Sequence, residues 1–95
     1  MGFRHIVLLT LDGDCDIEPL AADLRVMATG IPAIRSYVVG VDAGLSEGNA
    51  SVAIVADTDD QAGWESYRDD AEHVRIITER IKPHLLGRTA VQHPT

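Results

Sequence analysis

The sequence predicts an α+β fold, an antiparallel sheet with helices packed on one face, in the order β-α-β-β-α-β. Three observations carry this. Four short runs hold the apolar and β-branched residues of strands: Phe3–Leu11, Ala33–Asp42, Ser51–Asp57 and Arg88–His93. Two stretches between them repeat apolar residues at three- and four-residue spacing, the period of a helix. The second and third runs are joined directly by a loop, which suggests an antiparallel hairpin.

Phe3–Leu11 is an apolar run followed by the turn-rich Asp12-Gly13-Asp14. One pleat face carries Phe3, His5, Val7, Leu9 and Leu11; the other carries Arg4, Ile6, Leu8 and Thr10. Both faces are apolar in the middle, so both are expected to be covered. A helix follows over Asp16–Thr29, with Asp16 placed to cap it, Glu18 in the first turn and Pro19 tolerated near the start. Leu20, Leu24, Met27 and Ile31 form its core-facing stripe, while Asp23 and Arg25 turn to water. Gly30 suits the left-handed position that ends a helix, and Pro32 prevents continuation. In the second strand Tyr37, Val39 and Val41 share one face, and Ile34, Ser36 and Val38 the other. Ala43–Ala50 breaks the pattern and reads as a loop. In the third strand Val52, Ile54 and Ala56 oppose Ala53 and Val55. Thr58-Asp59-Asp60 signals a helix start. A short helix is expected from about Asp60 to Arg68 and a longer one from about Glu72, its stripe formed by Val74, Ile77 and Ile81. Pro83 is expected to kink the final turn and Gly87 to end it, before the last strand at Arg88–His93.

This order is that of the ferredoxin-like unit. A lone unit leaves one sheet face bare, here the face carrying Ile6 and Leu8 or the alternate one. Exposing such a patch is unfavourable at about 25 cal/mol per Å2, so a homodimer with sheets packed face to face is expected. The 95 residues make a single domain, 1–95, short enough that a partner subunit is a natural source of burial. A composition of 45% hydrophobic and 24% charged residues is ordinary for a globular chain. The net charge of −7 argues against nucleic-acid binding, which relies on clustered Lys and Arg. No apolar run reaches ~18 residues, so no membrane span is expected. The first ten residues lack the layout of a signal peptide. Cys15 stands alone, which excludes an internal disulfide and fits a reduced, cytoplasmic setting. The aspartates at 12, 14 and 16, and those at 57, 59 and 60, lack a full calcium-loop pattern and read as turns and helix caps. There is no Gly-rich phosphate loop and no metal-ligand spacing, so neither cofactor nor metal is expected. His84 and His93 read as exposed.

The stretch Trp64–Leu86 holds the only Trp, one of two Tyr and two of four His. Tyr67 and His73, a phenol and an ionisable ring at the edge of a core, are the candidates for chemistry. On a continuous helix they would stand about 120° apart; a break near Asp69–Ala71 would bring them together. Asp70, three residues before His73, is expected to raise the His73 pKa if it is close and ionised. His5 lies mid-strand on the face of Val7 and Leu9. If that face looks toward the helices, a cavity there would be lined by His5, Val7, Leu9 and Leu24, with Tyr67, His73 and Ile77 opposite. Such a site is mostly apolar with a few placed polar groups, the usual form of a small-ligand pocket. The structural alternative is that Tyr67 packs with its hydroxyl satisfied and His73 bonds the helix junction. Trp64 reads as packing surface, a lid or a dimer contact.

Three segments, in order, resemble the stress-responsive A/B barrel (Dabb) family. They are Phe3-Arg4-His5-Ile6-Val7-Leu8-Leu9; then Gly30-Ile31-Pro32-Ala33-Ile34-Arg35-Ser36 with Val39-Gly40-Val41-Asp42; then Tyr67 to His73 with Ile81-Lys82-Pro83. The resemblance spans nearly the whole chain and implies a dimeric α+β barrel. The family's third segment usually reads Tyr-x-x-His-Pro-x-His; here Asp70-Ala71 replaces His-Pro. A plant polyketide cyclase of the family closes a linear chain by aldol condensation, with a catalytic Tyr and His that match Tyr67 and His73 and a pocket His that matches His5. This sequence has Val52 or Ala53 where that enzyme places a further His. The resemblance implies a small hydrophobic carbonyl ligand and aldol- or Claisen-type proton transfer. His73 would act as base, Tyr67 as oxyanion donor and His5 as assistant, with Val7, Leu9, Leu24 and Ile77 as the substrate-binding wall. Two alternatives remain open: a non-catalytic stress-associated dimer, and a cofactor-independent or heme-related monooxygenase-like barrel.

Overall fold

The computed structural model describes residues 2–95. Strands β1 (Phe3–Leu11), β2 (Ile34–Val41), β3 (Val52–Thr58) and β4 (Leu85–Pro94) form one antiparallel sheet in the order β2-β3-β1-β4. Helices α1 (Ile17–Thr29), α2 (Gln61–Asp69) and α3 (Ala71–Ile76) cover one face. The architecture is the ferredoxin-like α+β fold that the element order implies.

The inner face follows from strand parity. Val7, Leu9 and Leu11 of β1 meet Val52, Ile54 and Ala56 of β3, all buried. Leu20, Leu24, Met27 and Ile31 close over them from α1 and its end, as the helical stripe requires. Asp60 caps α2 through its carboxylate, which accepts from the Gly63 amide at 2.8 Å.

Several local expectations are corrected. Gly30 sits at φ −92°, so the end of α1 needs no left-handed residue; the Gly30 amide instead bonds back to the Met27 carbonyl at 3.0 Å. Asp16 occupies the cap position of α1, but its side chain makes no capping bond. A bulge at Arg35 lets Ile34 pair with Thr58 while Ser36 pairs with Asp57. The extra residue shifts the parity, and Ile34 packs against the core rather than sharing the outer face with Val38. In the second helical region the inward residues are His73, Ile76 and Ile81, while Val74 is exposed. α3 starts at Ala71, and that start sets its phase: Val74 stands about 100° round from His73 and faces water. The chain then passes through a π turn, Ile77–Ile81, and a 3-10 turn, Lys82–His84. Gly87 lies inside β4, which begins three residues before the expected Arg88, with a bulge where Leu11 pairs with Leu85 and Thr10 with Gly87. His84 is half-buried, its Nδ1 2.9 Å from the Asp12 carboxylate, and His93 is half-buried as well.

The outer face is apolar in two consecutive rows. Val38, Val55, Ile6 and Val91 line up across all four strands, and Gly40, Ala53, Leu8 and Thr89 form the next row. A polar row of Ser36, Asp57, Arg4 and His93 borders them, with Arg4 and Asp57 ion-paired at 2.7 Å. In the single chain Leu8, Val38 and Val91 stay 41%, 56% and 51% exposed.

Candidate functional site

A cavity of about 270 Å3 lies between the inner face of the sheet and the helices. His5, Val7 and Leu9 reach it from β1, Leu24 from α1, and Tyr67, His73 and Ile77 from the α2–α3 region. All seven residues singled out from the sequence line this one cavity. Tyr37, Trp64 and Arg68 also line it, as do Lys82, Leu85 and Arg88 toward β4.

The break between α2 and α3 creates the central pair. Asp70 is extended, with ψ 133°, and so ends one helix and starts the next. Its carboxylate accepts from the Glu72 and His73 amides, each at 3.0 Å, which caps α3. Ala71 then occupies the first helical position. The turn stacks the rings of Tyr67 and His73 with centroids 4.2 Å apart.

Each imidazole is held by one nitrogen. His73 Nδ1 lies 3.1 Å from the Arg68 carbonyl and must donate to it, since a carbonyl only accepts. In the neutral ring that leaves Nε2 as the basic nitrogen. His5 Nδ1 lies 2.8 Å from Nε2 of Gln92, directly across the ladder on β4. With the amide donating, the His5 proton sits on Nε2. Among the described residues no buried side-chain nitrogen or oxygen lacks a partner. The two Nε2 atoms make no hydrogen bond to the protein, so they retain access to the cavity they line. The arrangement therefore offers one base and one N–H donor.

Tyr67 and Tyr37 complete the polar groups. Their hydroxyls are 3.4 Å apart, long for an O–H···O bond. Burial pushes the Tyr37 hydroxyl far above its ordinary value. It raises Tyr67 too, while the bond from Tyr37 and the Arg88 charge pull that group back down. Either hydroxyl can donate to the other, and when Tyr37 donates the proton of Tyr67 is left for a ligand oxygen.

Burial lowers the His5 pKa to about 4, with the positive Arg88 and then His73 adding to the effect. His73 is lowered as well, mainly by burial. The Asp70 charge and the backbone bonds push His73 upward, but they do not outweigh that loss of hydration. Asp70 thus acts on His73 in the expected direction, but burial turns the net shift downward. Both rings are neutral in the fold near pH 7. Their contribution to stability is complete above the ordinary histidine pKa of about 6.5 and is lost as pH falls through the folded-state values. Folded stability should accordingly decline between about pH 6.5 and pH 4 in equilibrium unfolding. An NMR titration should find the His5 ring neutral to below about pH 5. A His5 midpoint at 6.5 or higher would contradict this geometry.

Trp64 packs at the cavity edge, its ring 6.1 Å from His5 and 6.3 Å from Phe3, with the Arg68 guanidinium 5.0 Å above it. Sequence reasoning missed Tyr37, Gln92, Lys82 and Arg88 as site residues. Strand parity could have found Tyr37, which shares a face with the buried Val39. Nothing local marks Gln92 or Arg88, because only the β1–β4 register places them beside His5 and Leu9. Among the described residues no cluster of His, Cys, Asp or Glu is arranged to hold a metal, and no helix is long and apolar enough to cross a membrane.

The stress responsive A/B barrel domain pattern matches residues 3–93. Among solved structures, the chain is similar to a dimeric ferredoxin-like protein of unknown function from Thermobifida fusca. The two are 34% identical, with a TM-score of 0.88 over 100% of this chain and 92% of that one. A Dabb family protein with a ferredoxin-like fold from Mesorhizobium loti is 17% identical, with a TM-score of 0.82 over 99% of this chain and 96% of that one. The hydroxynitrile lyase of Passiflora edulis shares the fold at 15% identity, with a TM-score of 0.80 over 97% of this chain and 91% of its own. No curated protein matches the chain.

Proposed function

Because this chain belongs to the stress responsive A/B barrel domain family, we propose that it is a homodimer in which each subunit binds a small hydrophobic carbonyl compound and moves a proton at the carbon beside the carbonyl. The observation that carries this reading is an apolar cavity of about 270 Å3 bordered by both His73 and Tyr67. His73 Nε2 would take the α-proton. The developing enolate oxygen would receive hydrogen bonds from the Tyr67 hydroxyl and the His5 Nε2–H. Val7, Leu9, Leu24 and Ile77 would hold the apolar part of the ligand. This is the first step of an aldol or Claisen-type cyclisation, the chemistry that makes a polyketide-like substrate a reasonable class. The lone, half-buried Cys15 accords with a reduced, cytoplasmic setting.

A simple ketone such as propiophenone tests the proposal, since its α-hydrogens exchange slowly in neutral deuterium oxide. The protein should accelerate deuteration, followed by proton NMR. His73→Ala should cut the gain by about 10²–10⁴-fold, and Tyr67→Phe by about a hundredfold. Binding of the ketone without any exchange above the buffer rate would sink the proton-transfer reading. The bond from His73 Nδ1 to the backbone favours that outcome as the second reading, a non-catalytic binding protein in which His73 locks the helix junction.

A further inference from the structure

The chain has eight Lys and Arg against fifteen Asp and Glu, so an unpaired cation is against the odds of composition. Five arginines are ion-paired: Arg4 with Asp57, Arg35 with Asp59, Arg68 with Asp69, Arg75 with Glu72 and Glu79, and Arg80 with Asp23. Arg25 donates to the Val39 carbonyl of β2 at 2.7 Å. Among the described residues the two cations without a hydrogen bond or ion pair to the protein are Lys82 and Arg88, and both line the same cavity. No Asp or Glu lines it. Arg88 stands on the inner face of β4, paired with Leu9, and Lys82 opens the turn that leads into β4. Both side chains are exposed, which puts their charges at the mouth, while the interior is apolar with neutral imidazoles and phenols.

From this arrangement we propose that the ligand is a carboxylic acid. Its carboxylate is held at the mouth by Arg88 with Lys82, and its apolar, carbonyl-bearing body reaches inward to Tyr67 and His73. The inference rests on the cavity being a ligand site and adds the charge class of the ligand. A guanidinium presents two parallel N–H donors to a planar carboxylate, so Arg88 supplies orientation as well as charge, and Lys82 supplies charge alone. The net charge of −7 opposes an anion in general, and the two unpaired cations favour one at the mouth. Arg88 pairs with Leu9, two inner-face positions along β1 from His5, so the carboxylate end and the carbonyl end lie along one strand of the same cavity.

The test uses 3-benzoylpropanoate, a keto acid, and its methyl ester. Trp64, the only tryptophan, lines the cavity and reports binding by fluorescence. The acid should bind about tenfold or more tightly than the ester at low salt, and added salt should weaken only the acid. Arg88→Ala should erase the preference, Arg88→Lys should keep part of it, and Lys82→Ala should reduce it less. Equal affinity for acid and ester, or an unchanged preference in Arg88→Ala, would overturn the carboxylate assignment while ester binding leaves the cavity reading standing. Failure of both compounds to bind would overturn both together.

Discussion

Leu8→Glu is expected to turn the proposed homodimer into monomers while each subunit stays folded. Leu8 lies on β1, at the centre of the sheet, in the second of the two apolar rows on the outer face. At 41% exposure in the single chain, it is not part of the inner core, so the substitution leaves the fold of one subunit nearly untouched. In a two-fold dimer the change occurs twice. Each copy loses the burial of a Leu side chain, about 2 kcal/mol, and brings a carboxylate into an apolar contact at further cost. Together these exceed about 4 kcal/mol, a weakening of the dimer by about a thousandfold or more. Sedimentation at micromolar concentration should find the wild type as a dimer and Leu8→Glu as a monomer, both with the same far-ultraviolet circular dichroism. A variant that sediments as the wild type does would place the subunit contact elsewhere.

Tyr67→Ala should destabilise the subunit by about 3–5 kcal/mol, as large-to-small changes of buried aromatics do. For a domain of this size that lowers the melting temperature by more than about 12 °C. Tyr67 is 2% exposed, and its ring meets His73 at 4.2 Å, Tyr37 at 5.9 Å and His5 at 6.0 Å. Removing it merges its volume with the cavity and strips three rings of a neighbour. Tyr67→Phe keeps the ring and removes the hydroxyl, at a cost of about 1 kcal/mol from the half-satisfied Tyr37. Thermal unfolding of the two variants thus separates packing from chemistry. A Phe variant as unstable as the Ala variant would mean that the hydroxyl, not the ring, holds the site together.

The candidate site was legible to the extent that its members repeat with a period. His5 alternates with Val7 and Leu9, and Leu24 lies in the α1 stripe, so the residues of one wall follow from parity and helical spacing alone. The hinge between Tyr67 and His73 was foreseeable because no continuous helix could face them toward each other, and Asp70 sits where the chain must turn. The facing of Val74 and Ile34 was misread. In each case one residue changes the phase: the restart of α3 at Ala71 for Val74, and the bulge at Arg35 for Ile34. Phase errors of this kind leave the identity of an element intact and move its side chains to the other face.

The element order, the two faces of each strand, the stripe of α1 and the family resemblance are local or periodic properties, and the sequence by itself determined them. Which face of β1 turns to the helices, and so which residues line the cavity, was decided by the tertiary structure. The tertiary structure decided which nitrogen of each imidazole is free. It also pulled both histidines below their ordinary pKa, made Tyr37 the neighbour of Tyr67, and left Lys82 and Arg88 unpaired at one mouth. These depend on which backbone carbonyl or side chain lies across a ladder or behind a helix. Chain segments as distant as β1 and β4 meet only when the sheet closes, and hydrogen bonding and desolvation are set by that meeting rather than by any spacing along the chain.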